Sequence, residues 1–348
     1  TKRSRGTWHA WHFRFALGSV VTALCGSFSI ACLRPLTRRY AYLSKLSISL
    51  ILSCSVQIMI NQNSIYKFFP YNPHDLDTLA NNYLWFSRFS DFNDPFEDVF
   101  IDNVLDTEIP PYNESEAIEL LKLANQGSAS PIQIEQSLTQ LALQGELRAK
   151  YEYMLSSTIE HAKSIFADYV ENSRLCCFAK DDIEAEAPAL QNKLMWSHYG
   201  NGMRGYCIEF DRSALIKSIH DSIGDLVGYT DMLYGNLVKQ SHHSILHQTV
   251  LGMFGKKSGI GIGDLVTTKS SEWAYEKEFR LQVENVNMAQ FDPKCILSVT
   301  VGFKMPESKF TTLQSVLRGN AGIDCPIFRA SINAKTFGIE RDQIGKTK

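Results

Sequence analysis

A chain of 348 residues with 37 acidic and 35 basic side chains, a net charge of −2 and 44% hydrophobic residues is ordinary globular material. It is long enough for one large domain or two modest ones. Near-neutral charge argues against a general nucleic-acid coat, which needs a basic surplus to displace counterions, but leaves room for a local basic groove.

Residues 1–58 differ from everything after them: they are basic and contain no Asp or Glu. The run Phe15 to Leu33 is apolar over a length that crosses a bilayer, with arginines on both sides, yet it is diluted by Gly, Ser and Thr. Three readings compete: a membrane anchor, a signal-like segment, or upstream sequence outside the folded unit. The third is preferred, because Met59 opens a domain-like stretch, MINQNSIYKFFP.

From there IYKFF reads as a strand broken by Pro70 and Pro73, and Asp75 to Asn82 as a short helix or turn. Leu84, Trp85 and Phe86 suit a half-buried strand. That pattern stops at Asn93, Asp94 and Pro95, which carry turn chemistry. Glu97 and Asp98 follow, so the strand is expected to end at a sheet rim in three acidic side chains and one amide.

Residues 112–172 read as helical. Asn113 is the N-cap, with Glu114 and Glu116 opposing the dipole. A second helix from Pro131 or Ile132 runs on through Tyr151 and Met154 to Val170. RLCCFA (174–179) is a strand, 194–199 a short helix, 200–205 a glycine-rich loop, and 206–210 and 227–229 are strands. Residues 234–267 mix an amphipathic helix with the flexible GKKSGIGIGD. Glu278, Arg280 and Gln282 then alternate with Phe279, Leu281 and Val283, the period of a strand with one wet face. On such a strand Glu276 and Glu278 share a face beside Arg280, with Lys277 opposite. CILSVTVGF is a buried strand, 309–318 a helix and PIFRASI a last strand. The fold expected is α+β over 59–345: a single domain with a mixed, largely antiparallel sheet and a helical insertion at 112–172.

Eight cysteines (25, 32, 54, 176, 177, 207, 295 and 325) show neither CxxC nor Cys/His metal spacing. They read as reduced core residues of a cytoplasmic protein, with a redox or nucleophilic role for Cys176 or Cys177 as the minority reading.

The motifs LWFSRFSDFNDPFED, RLCCFA, LMWSHYGNGMRGYCIEFD and Lys269-x3-Trp273-x-Tyr275-Glu276-x-Glu278-x-Arg280 together resemble the domain of unknown function 2971 family, in that family's order from about Met59 onward. The resemblance implies a bacterial or phage-borne cytoplasmic protein; a role as a toxin or in phage defence is a separate expectation. It assigns no reaction.

Three functions fit the residues. The first is NAD-dependent ADP-ribosyl transfer, with NAD as substrate and a protein or nucleic acid as acceptor. That chemistry needs a cleft for the nicotinamide ribose, an aromatic to stack the ring and a carboxylate to steady the cationic centre. In layout the chain is similar to the DNA-targeting ADP-ribosyltransferase toxins, with Tyr66 or Lys67, Tyr199 and Glu278 in those parts. The second is a metal-dependent nuclease or phosphoesterase, with Asp94, Glu97, Glu276 and Glu278 on Mg²⁺ and Lys269 or Lys277 polarising a phosphate. The third is a ligand-binding module without catalysis, its pocket lined by Trp85, Trp196, Trp273 and Tyr275. Arg204, Glu276, Glu278 and Arg280 lead the candidate cleft residues, followed by Asn93, Asp94, Glu97, His198, Tyr199 and Lys269. His198 reads equally as an acid/base group and as a helix-terminal histidine bonded to backbone, and Asn93 and Asp94 equally as turn residues.

Overall fold

The computed structural model describes residues 58–348 apart from 93, 106–110, 127, 225–226 and 237–265. The described residues form two compact units. Within residues 102–166, helices α3 (Glu114–Ala124), α4 (Pro131–Leu143) and the first part of α5 (Leu147–Asn172) close a small core around Leu120, Leu121, Leu138, Tyr151 and Leu155. Asn113 caps α3 as expected, accepting from the N–H groups of Ser115 and Glu116. The helix expected to run from Pro131 to Val170 is two helices, because the chain turns at Gly145 with φ +72, a conformation glycine adopts without strain.

The other unit is built on one mixed sheet of eight strands: β1 (Ser64–Phe69), β3 (Ser173–Lys180), β4 (Tyr206–Asp211), β5 (Val227–Asp231), β8 (Glu278–Glu284), β10 (Ile296–Val301), β11 (Pro326–Ile332) and β12 (Ile339–Lys346). Their order is β12-β11-β10-β4-β1-β3-β8-β5, antiparallel except between β10 and β11. The fold is therefore α+β with a largely antiparallel sheet. One face buries Ile65, Phe69, Phe178, Phe210, Phe279 and Leu281, the larger core. The opposite face buries Tyr66, Phe68, Ala179, Met195 and Trp196. Helices α1 (Pro73–Ala80), α7 (Arg212–Ile223) and α8 (Glu307–Gly319) bring Leu79, Leu215, Ile219, Leu313 and Leu317 to the larger core.

The strand expected at Leu84 lies outside this sheet. β2 (Tyr83–Trp85) pairs instead with β9 (Met288–Gln290) in a two-stranded ribbon. Beyond it, the acidic residues expected at a strand end sit at the start of helix α2 (Pro95–Asn103). Pro95 supplies a φ already set for a first helical turn, and Asp94 Oδ1 accepts from the Phe96 N–H at 3.0 Å. α7 and β12 were not anticipated: β12, IERDQIGK, borders the sheet and most of its residues are exposed or half-buried, so its side chains carry no clean apolar alternation. The amphipathic helix and GKKSGIGIGD loop expected within 234–267 lie mostly outside the described residues, which resume at 266, just before β7 (Thr268–Ser270), the partner of β6 (Leu233–Gly235).

The five described cysteines are free thiols, all buried but Cys177, which is half-buried. No helix among the described residues is long and apolar enough to cross a membrane, and the apolar run at 15–33 lies outside them.

Gly205 passes so close to β1 that a Cβ there would come within 2.0 Å of the Phe69 carbonyl oxygen. Gly205→Ala is therefore expected to lower unfolding free energy by about 2–3 kcal/mol, the scale of a forced backbone shift, measured by urea titration beside the wild type.

Candidate active site

The sheet is not continuous between β1 and β3. The two strands pair only at Ile65↔Lys180 and Tyr66↔Ala179. Yet β1 stays on β4 as far as Phe69, and β3 stays on β8 back to Ser173. Past Tyr66 the strands part. Ser87, in the segment after β2, takes the vacated edge of β3, exchanging hydrogen bonds of 2.9 and 2.8 Å with Leu175. The gap holds a cleft of about 200 Å³ that opens onto residues from both faces of the sheet. Lys67, Trp85, Cys176 and Phe178 line it on one side, and Tyr199, Trp273, Glu276 and Glu278 on the other.

Strand alternation explains the second side. β8 sends Phe279, Leu281 and Val283 into the larger core, so Glu278 and Arg280 point the opposite way. That face was expected to be wet. It is not: Glu278 is 5% and Arg280 1% exposed.

Charges this deep persist only when paired and hydrogen-bonded. Arg280 Nη1 and Nη2 donate to the two oxygens of Glu97 at 2.6 and 3.1 Å. Its Nε donates to Glu278 Oε1 at 2.6 Å, and Nη2 reaches Glu278 Oε2 at 3.3 Å. Phe92 covers the guanidinium at 5.0 Å. Lys269, on β7, donates to Glu276 Oε2 at 2.8 Å and to Glu278 Oε2 at 3.3 Å, with its ammonium 4.7 Å from the Trp273 ring centre. Tyr199 donates to Glu276 Oε1 at 2.5 Å. The Glu278 N–H donates to the Tyr234 hydroxyl at 2.7 Å.

Glu276 and Glu278 meet by a different route from the shared strand expected for them. Glu276 ends a 3-10 turn over Ser271–Glu276, and Lys277 adopts a left-handed conformation with φ 44 before β8 begins. The kink sends Lys277 away to Asp182, 2.9 Å distant, while both glutamates converge on Lys269.

The two carboxyls are held oppositely. Burial pushes Glu276 above the usual carboxylate range, and Lys269 only partly offsets it. Burial also works against ionised Glu278, but Arg280 and then Lys269 overcome it and hold that carboxyl well below its usual range. The Lys269 ammonium is raised against its own burial by Glu278 and Glu276, and the Tyr199 hydroxyl is raised by burial and by Glu276.

Of the other candidates, Asp94 lines the cleft, and Asn93 lies outside the described residues. His198 is exposed and shares a 2.9 Å hydrogen bond with the Tyr275 hydroxyl. Arg204 is exposed on the turn after α6 (Lys193–His198) and does not line the cleft. It sits three residues beyond Asn201, in a stretch where Asn201, Gly202 and Met203 all have positive φ, and its Nη1 lies over Gly202. Trp196 is core, its indole N–H bonded to the Leu190 carbonyl at 2.9 Å. Tyr234 was missed; nothing in the spacing of a short strand more than forty residues upstream links it to Glu278.

The donor set does not fit a metal. Among the described residues no group of three His, Cys, Asp or Glu side chains is placed to hold one, because Glu97, Glu276 and Glu278 turn their oxygens to Arg280 and Lys269.

Residues 195–281, which include Tyr199 and the Lys269 to Arg280 block, match the family model described as Protein of unknown function (DUF2971). That segment is similar to the DUF2971 family. No curated protein and no solved structure matches the chain. The DUF2971 match spans α6 to most of β8, so Glu97, Lys67 and Trp85 complete the cleft from outside the matched segment.

Arg280→Met should destabilise the protein by about 3–5 kcal/mol, because Glu97 and Glu278 are then left buried without their partner; denaturant unfolding at pH 7 measures it. A second expectation concerns acid. Glu278 has a folded pKa below its unfolded value of about 4.3, so its stabilisation is present above that value and is lost as pH falls through the folded pKa. Melting temperatures taken stepwise from pH 6 to pH 2 should fall more steeply below about pH 4 in wild type than in Glu278→Gln.

Proposed function

We propose that the cleft binds NAD and transfers its ADP-ribose to an acceptor. The observation that carries this reading is the charge balance of the cleft floor: Glu97, Glu276 and Glu278 face only Lys269 and Arg280. One negative charge is in excess before Asp94 is counted, and it falls on Glu276. A proton or a cationic ligand group can balance it. The pyridinium ring of NAD is such a group, and Trp273 and Tyr199 supply aromatic faces beside the carboxylates.

The chemistry follows from the two carboxyls. The bond between ribose C1′ and the nicotinamide nitrogen breaks, and its electron pair leaves with nicotinamide. Positive charge then builds on the ribose, where Glu278, held ionised, favours it electrostatically. The acceptor's nucleophilic atom bonds to C1′ and gives its proton to Glu276, whose raised proton affinity suits a general base. Tyr199 and Lys269 orient that carboxylate.

With the full chain and NAD, nicotinamide release is expected in wild type and should fall at least about 100-fold in Glu276→Gln, the lower end for loss of general base catalysis. The same fall in Glu278→Gln, with melting curves showing both variants folded, would support the division of roles. Wild-type protein that releases no nicotinamide across a panel of protein and nucleic-acid acceptors rules the transfer out.

A further inference from the structure

The cleft is charged differently on its two sides. Strand alternation places Lys67 between Tyr66 and Phe68, on the face opposite theirs. It therefore stands across the fork from the glutamates. Its ammonium lies 5.3 Å from the Phe178 ring centre and 5.9 Å from that of Phe69. The nitrogen donates to the Cys177 carbonyl at 3.1 Å, the strand oxygen next to the point where β1 departs.

With the Cys176 thiol as a second, weak partner, two acceptors serve three donors. No carboxylate among the described residues forms an ion pair with Lys67; burial works against its charge, but the neighbouring Cys176 and Cys177 and the more distant Asp75 outweigh it and raise the ammonium above its usual range. Lys269, the other lysine of the cleft, is spoken for by two glutamates. Lys67 is thus a cleft-lining cation with no carboxylate in direct contact, Asp75 acting on it only from a distance, and it faces a cavity whose other side carries surplus negative charge.

We infer that Lys67 is the phosphate-binding group of this cleft, so that the ligand spans the fork with an anionic phosphate at Lys67 and a cationic or neutral ring at the Glu276 side. This rests on the NAD reading for the identity of the ring and supplies what that reading lacked, a site for the ligand's phosphates. An ammonium with a donor to spare suits a phosphate as a point charge. The polarity also sets direction: a phosphate at the glutamate side would meet unbalanced carboxylates.

The test uses the full chain as wild type, Lys67→Met and Lys67→Arg, titrated by calorimetry with NAD, nicotinamide riboside and inorganic pyrophosphate. Lys67→Met is expected to weaken NAD and pyrophosphate at least tenfold and to leave nicotinamide riboside, which has no phosphate, within twofold. Lys67→Arg should recover part of the loss. Pyrophosphate binding lost in Lys67→Met while wild type fails to bind NAD would sink the NAD reading and keep the phosphate site. Equal pyrophosphate affinity in wild type and Lys67→Met, or none in wild type, overturns the inference. Should Lys67→Met not fold, acetylation of Lys67 in wild type by acetic anhydride, read by mass spectrometry, should slow at least fivefold with pyrophosphate present; no protection overturns it as well.

Discussion

The guanidinium of Arg280 is the contact on which the site depends. It is buried on the face of β8 away from the larger core, and it binds Glu97 through two nitrogens and Glu278 through a third. Isolated, any of these charges would be expelled from so dry a place or neutralised. Together they tie the first turns of α2 to β8, two elements far apart in the chain. The planar fork matters here, since a lysine offers a point charge and cannot meet two carboxylates in one plane. A buried ion network is weak evidence for stability by itself, because well-packed apolar groups often do as well. Its persistence next to a cleft is better explained by what it does to the cleft's electrostatics.

The fork between β1 and β3 makes that cleft available. A continuous sheet would separate the charged face of β8 from the face carrying Lys67, and no ligand could touch both. Opening a sheet leaves backbone groups without ladder partners, which is tolerated only where something else satisfies them. Ser87 does so for Leu175 and the Lys67 ammonium for the Cys177 carbonyl. The ribbon of β2 and β9 therefore has a purpose that its short length conceals: it leads the chain to Ser87 at the empty edge.

Much of this was legible in the sequence, and the failures have physical reasons. Period-two alternation located β8 and placed Glu278 beside Arg280, because the pleat fixes which side chains share a face. It could not tell that the polar face was buried, since a solvated strand face and one covered by compensating charges have the same pattern. The partner that decides between them, Glu97, lies on a helix whose start was read as the end of a strand. Proline and the acidic residues around it serve a turn and a helix N-terminus equally well. Arg204 was misjudged because a glycine-rich loop says that the chain turns but not which way a side chain leaves it. In the sequence Lys67 is only an alternative to Tyr66 in the transfer layout; the parting of β1 from β3 is what gives it a cavity to face.

The two central glutamates show how a small backbone device creates chemical difference. Glu276 and Glu278 are alike in sequence and only two residues apart. A regular strand through both would give them equivalent surroundings, whereas the left-handed turn at Lys277 puts one at the end of a 3-10 turn and the other within β8. Glu278 then receives Arg280 as well as Lys269, and Glu276 receives only a share of Lys269 and a neutral tyrosine hydroxyl. Burial raises the proton affinity of both, and the unequal sharing of the cations leaves Glu276 raised while it pulls Glu278 below its usual range. Two carboxyls separated in this way can divide a reaction between a fixed anion and a proton acceptor. Lys269 sets the division, because any group that draws its ammonium toward Glu278 leaves Glu276 more basic.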